Sequence, residues 1–214
     1  MKILVTFCLA TIYFFVLYRS DVNRERKLVE NYQYITSLTH AILVTIFSYI
    51  DLIIMMIYNL SLSDKTIISN WIYFSLFYFI YDTYWCIYLR SHMFIAHHIC
   101  CIFALVYTLM SDNYYILISI ALFLGEATNP IFCTIKLFKE FGYKTKLLFI
   151  IFSVLFVSIR FIIVPLILLH ILFNFSGTKK YVILLTGILL IAGSLFWAKG
   201  QYGYIKEKIA PKLD

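Results

Sequence analysis

The sequence predicts an all-α protein that crosses a membrane about seven times, and three observations lead to this fold class. Of the 214 residues, 63% are hydrophobic and only 14% are charged, whereas a soluble domain is nearer half apolar and a quarter charged. Seven apolar stretches approach or exceed the length of about 20 residues that a spanning helix needs. The basic residues collect in alternate connectors, as they do in proteins that cross a membrane repeatedly.

The seven predicted helices follow one another with short polar connectors. They cover residues 3–18, 36–60, 71–89, 94–110, 114–135, 147–172 and 181–198. The first stretch follows Lys2 and precedes a basic cluster without a small-x-small cleavage site, so a retained helix is favoured over a signal peptide. We therefore divide the chain into an N-terminal helix with its basic connector (1–34), a main membrane domain (35–200) and a short cytoplasmic tail (201–214).

The distribution of charge predicts the orientation. With the N-terminus outside, 13 Lys and Arg residues lie on the cytoplasmic side and four lie outside, with Arg160 left within a helix. The sequons Asn59-Leu60-Ser61 and Asn174-Phe175-Ser176 then both fall outside. The net charge of +7 is thus a feature of topology, and nucleic acid is not expected as a partner.

The five cysteines do not predict a disulfide framework. Their number is odd, no CxxC occurs, and all lie in apolar stretches. We interpret them as buried small side chains, with palmitoylation of Cys100 and Cys101 near the interface as the alternative. No metal site is expected.

Ionisable side chains inside the predicted helices are the best indication of function, because each Arg, Lys or Asp there costs about 2.5–3.5 kcal/mol on insertion scales. Counting along the helices places most of them in the cytoplasmic half of the membrane, which predicts a polar cavity open to the cytoplasm. The residues are His40, Asp51, Asp82, His97, His98, Glu126, Arg160 and His170. We interpret Asp51 and His170 as polar residues of helix packing.

The pair His97-His98 offers imidazoles for acid–base or nucleophilic chemistry. Adjacent helical positions point about 100° apart, so the two rings cannot hold one metal as an i, i+4 pair would. One can face a cavity while the other packs on a neighbouring helix. Asp82 lies at a similar depth and could orient an imidazole. The alternative is that both histidines only mark the start of a helix at the interface.

The segment from Gly125 to Pro130 predicts a kink. Pro130 lacks a backbone donor and frees a carbonyl one turn earlier, and Thr128 and Asn129 are available to satisfy the freed groups. Glu126 could form an ion pair with Arg160 that joins two helices, or could contact a ligand.

These residues together resemble the TLC family (TRAM, Lag1 and CLN8 homology) over roughly residues 35–200. The resemblance rests on Ser37-Leu38-Thr39-His40-Ala41, Tyr81-Asp82, the segment Met93 to His98, the segment Glu126 to Pro130, and Arg160 with Pro165. It implies a bundle or barrel of six helices around a lipid-accessible cavity, here with one further N-terminal helix, in the endoplasmic reticulum or a related endomembrane.

The resemblance also implies two functions. Ceramide synthases of the family transfer an acyl group from acyl-CoA to a sphingoid base and depend on a double histidine, which falls on His97 and His98. Their longer pattern is not kept here: Arg90 lies near the place of their upstream Asp, and Cys101 near that of their Thr. The chain looks closer to the CLN8-like branch, which implies lipid handling without established chemistry.

We therefore expect a protein that binds lipids and affects sphingolipid or acyl-chain composition or trafficking. The alternative is an acyl-CoA-dependent N-acyltransferase with His97, His98 and Asp82 as catalytic candidates. Candidates for substrate binding are Glu126, Asn129, Arg160 and His40. A transporter or channel is disfavoured because no paired broken helices occur. The expected partners are membrane lipids, with homo-oligomer formation left open. No cofactor is expected, and acyl-CoA would be a co-substrate.

Overall fold

The computed structural model describes residues 26–58, 68–111, 115–174 and 179–208, and all its regular elements in these ranges are helical. The chain divides into two compact units, Met1–Leu148 and Phe149–Asp214. The predicted helix over residues 3–18 lies outside the described residues.

Five helices make up the described part of the first unit. They are α1 (Arg26–Tyr58), α2 (Ile68–Tyr88), α3 (His92–Ser111), α4 (Tyr115–Glu126) and α5 (Asn129–Glu140). Helix α1 packs against α2, α4 and α5, and α2 packs against α3. Each of the helices α1 to α4 supplies an apolar side chain to one buried core, and these are Val44, Ile72, Leu105 and Leu122.

Helix α1 begins at Arg26, ten residues before the predicted start at residue 36, so the prediction of a connector up to residue 34 is wrong in its last part. Gln33, which lies in the additional helical turns, contacts a neighbouring helix. Its side-chain amide donates to Oδ1 of Asp82 on α2 over 2.9 Å. A search for apolar stretches cannot recognise a polar helical turn whose side chains bond to another helix.

The predicted kink near Pro130 is confirmed as a break between two helices. Helix α4 ends at Glu126, Ala127 and Thr128 form a turn, and α5 begins at Asn129 with Pro130 in its first turn. Proline has no backbone N–H, and the N–H groups in the first turn of a helix have no partner within the helix. Pro130 is therefore tolerated at this position. The predicted role of Thr128 is wrong, since its buried hydroxyl makes no hydrogen bond.

Helices α2 and α5 end in the same way, with a residue in the left-handed region. Arg90 has φ of 59° and Gly142 has φ of 76°. After α2, the N–H of Ser91 bonds to the carbonyl of Cys86, and the N–H of Arg90 to that of Ile87. This is the pairing of a Schellman motif. It turns the chain within three residues so that α3 can pack against α2.

Helix α6 (Lys146–Ser158) begins in the last three residues of the first unit and continues into the second. The second unit also contains a π-helical segment (Ile159–Ile163), α7 (Val164–Asn174) and α8 (Lys179–Lys208). The N–H of Val164 bonds to the carbonyl of Ile159, five residues earlier. The π-helical segment lies just before Pro165, which cannot donate a helical hydrogen bond. Trp197 of α8 packs against the rings of Phe152 and Phe156 of α6.

Five stretches of the described chain are helical, long and apolar enough to cross a membrane. They are Glu30–Ile57, His92–Met110, Leu117–Glu140, Lys146–Asn174 and Lys180–Lys199. Helix α2 has 21 residues but is not among them; its sequence is rich in Tyr and Trp. Large apolar side chains such as Met56, Met110 and Phe173 are exposed, as lipid-facing residues of a spanning helix are. The chain is therefore a helical membrane protein.

Candidate functional site

Four ionisable side chains from four helices meet inside the first unit. His40 of α1, Asp82 of α2, His98 of α3 and Glu126 of α4 are each at most 5% exposed. All four belong to the set that the sequence singled out, and they combine two carboxylates with two imidazoles. Buried charges persist when opposite groups are paired and hydrogen-bonded. We call these four residues, together with Tyr78, the polar cluster.

The first pair in the polar cluster is Asp82 with His98. Oδ2 of Asp82 lies 3.4 Å from Nε2 of His98, and Oδ1 accepts a hydrogen bond from Gln33. Cys86 lies one turn after Asp82 on α2, with its Sγ 3.8 Å from Nδ1 of His98. The carboxylate is thus held on one side by an amide and contacts the imidazole on the other.

The second pair is Glu126 with His40. Oε2 of Glu126 lies 3.8 Å from Nδ1 of His40, and the same oxygen accepts a 2.8 Å hydrogen bond from the side-chain amide of Asn129. The other ring nitrogen of His40 lies 3.3 Å from the hydroxyl of Ser75. Asn129 comes directly after the break between α4 and α5, so the break places its amide beside the carboxylate.

Tyr78 connects the two pairs. Its ring stacks on the imidazole of His40 with the centroids 3.6 Å apart and the planes 12° from parallel. Its hydroxyl donates to Oδ2 of Asp82 over 3.3 Å and lies 2.9 Å from the hydroxyl of Ser37. A single buried side chain therefore contacts one member of each acid–histidine pair.

The two adjacent histidines have different surroundings, as their angular separation on a helix predicts. His98 is buried against α2, whereas His97 is only partly buried. Nε2 of His97 lies 3.6 Å from Sγ of Cys101, four residues later on the same helix. The His97 and His98 rings are 5.6 Å apart, and Phe79 of α2 lies beside both.

The structure does not gather all the predicted residues into this cluster. Arg160 lies in the second unit, at the π-helical segment, so its ion pair with Glu126 stays a prediction. His170 is exposed and bonds to Asn174 of its own helix α7. Asp51 is buried on α1, and its Oδ2 makes no hydrogen bond.

Several residues of the site were missed by the sequence reasoning. They are Gln33, Ser75, Tyr78 and Cys86, which contact predicted residues, and Ser37, which bonds to Tyr78. A helical spacing could have found some of them, because Tyr78, Asp82 and Cys86 recur every four residues on one face of α2. The interpretation of cysteines as buried thiols holds for Cys86 and Cys133.

The arrangement offers both donors and acceptors to a polar group. Carboxylate oxygens can accept hydrogen bonds from an ammonium or a hydroxyl, and imidazoles can donate, accept or carry a proton. Asp82 beside His98 has the carboxylate–imidazole pairing used in general acid–base catalysis. Asp82, Cys86 and His98 are also residue types that bind metal ions.

Comparison with known proteins identifies one family. The sequence model of the TRAM, Lag1 and CLN8 group, described as the TLC domain, matches residues 23–199. No curated protein matches the chain, and no solved structure matches it.

Proposed function

Because the chain belongs to the TLC-domain family, we propose that it is a multi-pass membrane protein that binds lipids and affects sphingolipid or acyl-chain composition or trafficking without chemistry of its own. The observation that carries this proposal is the polar cluster, which collects two carboxylates and two imidazoles inside a helical unit with an apolar exterior. Polar groups at membrane depth are expensive and commonly functional.

The chemistry of the polar cluster suits the headgroup of a sphingoid lipid. Such a headgroup carries an ammonium or amide nitrogen and hydroxyls, which can donate to Asp82 and Glu126 and accept from the imidazoles. Phe79 and Phe94 flank His98 with their rings 5.4 and 6.3 Å away, and these apolar rings suit the start of an acyl chain.

Photocrosslinking tests lipid binding directly. Membranes containing the wild-type chain, Glu126→Gln or His92→Ala would be incubated with a sphingosine that carries a photoreactive group and an alkyne tag. Glu126→Gln keeps the shape of the side chain and removes its charge. His92 is exposed and lies on α3 outside the polar cluster, so its variant is the control.

We expect labelling of Glu126→Gln to fall at least several-fold, with His92→Ala equal to wild type. Competition by unlabelled sphingosine, but not by a fatty acid of the same chain length, would locate the recognition in the headgroup. Equal labelling of all three proteins would remove the polar cluster from lipid recognition and overturn the proposal.

The second candidate function is acyl-CoA-dependent N-acyl transfer, and the 3.4 Å contact between Asp82 and His98 favours it. In this reaction the thioester C–S bond of acyl-CoA breaks and an amide C–N bond forms. A histidine of the pair removes the proton from the amine or first accepts the acyl group. The proton ends on the CoA thiol, and Asp82 orients the imidazole.

An acyltransfer assay separates the two candidates. Membranes lacking host ceramide synthases would receive labelled acyl-CoA and a sphingoid base, with wild-type chain or the His97→Ala/His98→Ala double variant. Product from wild type alone would make the protein an enzyme. No product from either protein, with crosslinking retained in wild type, would favour lipid binding without chemistry.

The topology that accompanies this proposal has seven spans, six of them forming a bundle or barrel around a cavity. The N-terminus is lumenal and the C-terminus cytoplasmic, because this orientation places most Lys and Arg inside. The family suggests the endoplasmic reticulum or a related endomembrane. Membrane lipids are the proposed partners, acyl-CoA enters only as a co-substrate, and homo-oligomer formation is compatible with this arrangement.

A further inference from the structure

We propose that Asp82, Cys86 and His98 form a zinc site between α2 and α3. Each residue offers one ligand atom, and these atoms all lie within 4.8 Å of one another. All three side chains are buried, with Cys86 fully enclosed. The proposal does not depend on the lipid-handling function. With zinc bound to Asp82 and His98, Glu126 and His40 would remain for a lipid headgroup.

The distances come close to those of a tetrahedral zinc centre. Oδ2 of Asp82 lies 3.4 Å from Nε2 of His98, Sγ of Cys86 lies 4.0 Å from the same oxygen, and Sγ lies 3.8 Å from Nδ1 of His98. Zinc bonds of about 2.0–2.3 Å in tetrahedral geometry separate such ligand atoms by about 3.3–3.5 Å. If the imidazole rotated so that one nitrogen faced both Asp82 and Cys86, a small inward movement of the three side chains would bring the ligand atoms to these separations.

The secondary structure supplies this geometry with little reorganisation. Asp82 and Cys86 are four residues apart, so they lie on one face of α2, as two metal ligands on one helix commonly do. The short turn at Leu89–Ser91 brings α3 back against α2 and carries His98 to that face. All three ligands thus sit on regular helices joined by a hydrogen-bonded turn.

The charges of this ligand set suit a buried zinc ion. A zinc ion with two positive charges, a thiolate, a carboxylate and a neutral imidazole sum to zero. Binding would release the thiol proton of Cys86 to solvent. A site with no net charge reduces the cost of holding a carboxylate within the membrane protein. Mixed sulfur, nitrogen and oxygen ligands in tetrahedral geometry favour zinc over magnesium or calcium.

Neighbouring side chains would hold the ligands in place. The amide of Gln33 donates to Oδ1 of Asp82 and contacts Sγ of Cys86 at 3.3 Å, so Oδ2 points towards His98. The Tyr78 hydroxyl lies 3.3 Å from Oδ2. Hydrogen bonds of this kind orient metal ligands and tune their basicity. In the acyl-transfer alternative, a zinc-bound His98 would leave His97 as the imidazole that acts on substrate, and Asp82 would hold the metal instead of orienting the reacting imidazole.

Metal analysis of the full-length chain tests the site. Protein purified in detergent would be washed with a weak chelator, and its zinc content measured by mass spectrometry against protein concentration. We expect one zinc per chain in wild type and at least a fivefold lower content in Cys86→Ser. Cys133→Ser is the matched control, because Cys133 is equally buried but belongs to α5, outside the trio.

Cobalt substitution gives a second readout that needs no variant to fold. Loading the metal-free wild-type chain with Co²⁺ should produce a thiolate-to-cobalt absorption band and the visible bands of tetrahedral cobalt. Cys133→Ser should keep both features, and a folded Cys86→Ser should lose the thiolate band. A folded wild-type chain that retains no stoichiometric zinc and gives no thiolate band would overturn the zinc site, whereas the lipid proposal would still be judged by its own crosslinking assay.

Discussion

At the scale of single residues, Tyr78 explains how two buried acid–histidine pairs form one cluster. Its ring covers His40 and its hydroxyl reaches Asp82. Stacked rings exclude water from the imidazole, and the hydroxyl gives the buried Asp82 carboxylate a donor in addition to the amide of Gln33. The pairs Asp82–His98 and His40–Glu126 are therefore expected to influence each other.

The pair His40–Glu126 predicts a measurable coupling energy. His40→Ala should destabilise the protein by about 3–5 kcal/mol, because it leaves the Glu126 carboxylate buried without its imidazole. The double variant His40→Ala/Glu126→Gln should be less destabilised than the sum of its single variants, by about 1–3 kcal/mol. Unfolding in mixed detergent micelles, followed by circular dichroism, gives these free energies.

The exposed residue His92 supplies the control for this cycle. His92→Ala combined with Glu126→Gln should show additive effects, because His92 lies outside the polar cluster. Additive effects for His40 with Glu126 as well would mean that their 3.8 Å contact contributes nothing to stability.

At the scale of helices, the turns after α2 and α5 share one hydrogen-bonding pattern but not one residue type. In each, the left-handed position bonds to the carbonyl three residues earlier, and the next residue to the carbonyl five earlier. Glycine fills this position after α5, and Arg90 fills it after α2. A side chain in the left-handed region costs about 1–2 kcal/mol, so the turn between α2 and α3 is kept despite an unfavourable residue.

Exchanging the residue types at these two turns should have opposite effects. We expect Arg90→Gly to raise the free energy of unfolding by about 1 kcal/mol, since glycine adopts this conformation without strain. Gly142→Ala should lower it by a similar amount. Nothing lies within 4 Å of a Cβ placed at Gly142, so the loss would be conformational and not steric. Two shifts of the same sign would contradict the argument.

Helices α7 and α8 approach closely at one glycine. A Cβ on Gly187 would lie 2.6 Å from Cδ2 of Leu168, whereas nothing lies within 4 Å of a Cβ on Gly193. Small residues let membrane helices come together. Gly193→Ala should stabilise the protein by about 0.5–1 kcal/mol through helix propensity, and Gly187→Ala should lose this gain because Leu168 must move. Equal stabilisation by both variants in thermal unfolding would argue against close packing here.

At the scale of the whole molecule, the proposed orientation can be tested by glycosylation. Tyr143→Asn places a sequon over residues 143–145, in the exposed turn after α5 that the charge distribution assigns to the cytoplasm. This site should stay unmodified in microsomes. Asn174, in a natural sequon assigned to the lumen, is the reference site. Asn174→Gln should abolish any natural modification there, and a glycan that depends on Tyr143→Asn would reverse the orientation.

The positions of most helices and of the important polar residues could be predicted from the sequence. Apolar length and the position of polar connectors locate the helices, because the membrane requires backbone hydrogen bonds to be satisfied within each helix. The break near Pro130 follows from the missing N–H of proline. The importance of His40, Asp82, His98 and Glu126 follows from the cost of placing ionisable groups within apolar helices.

Only the tertiary structure decided which of these groups meet. Pairing between helices depends on their rotation and relative height, which one-dimensional spacing does not contain. Packing therefore joined Glu126 to His40 and Asn129, joined Asp82 to His98, and added Gln33, Tyr78 and Cys86 to the site. The sequence by itself determined that the protein is helical, membrane-embedded and unusually polar at a few positions, because these properties follow from local composition. The partners of those polar groups are set by contacts between distant segments.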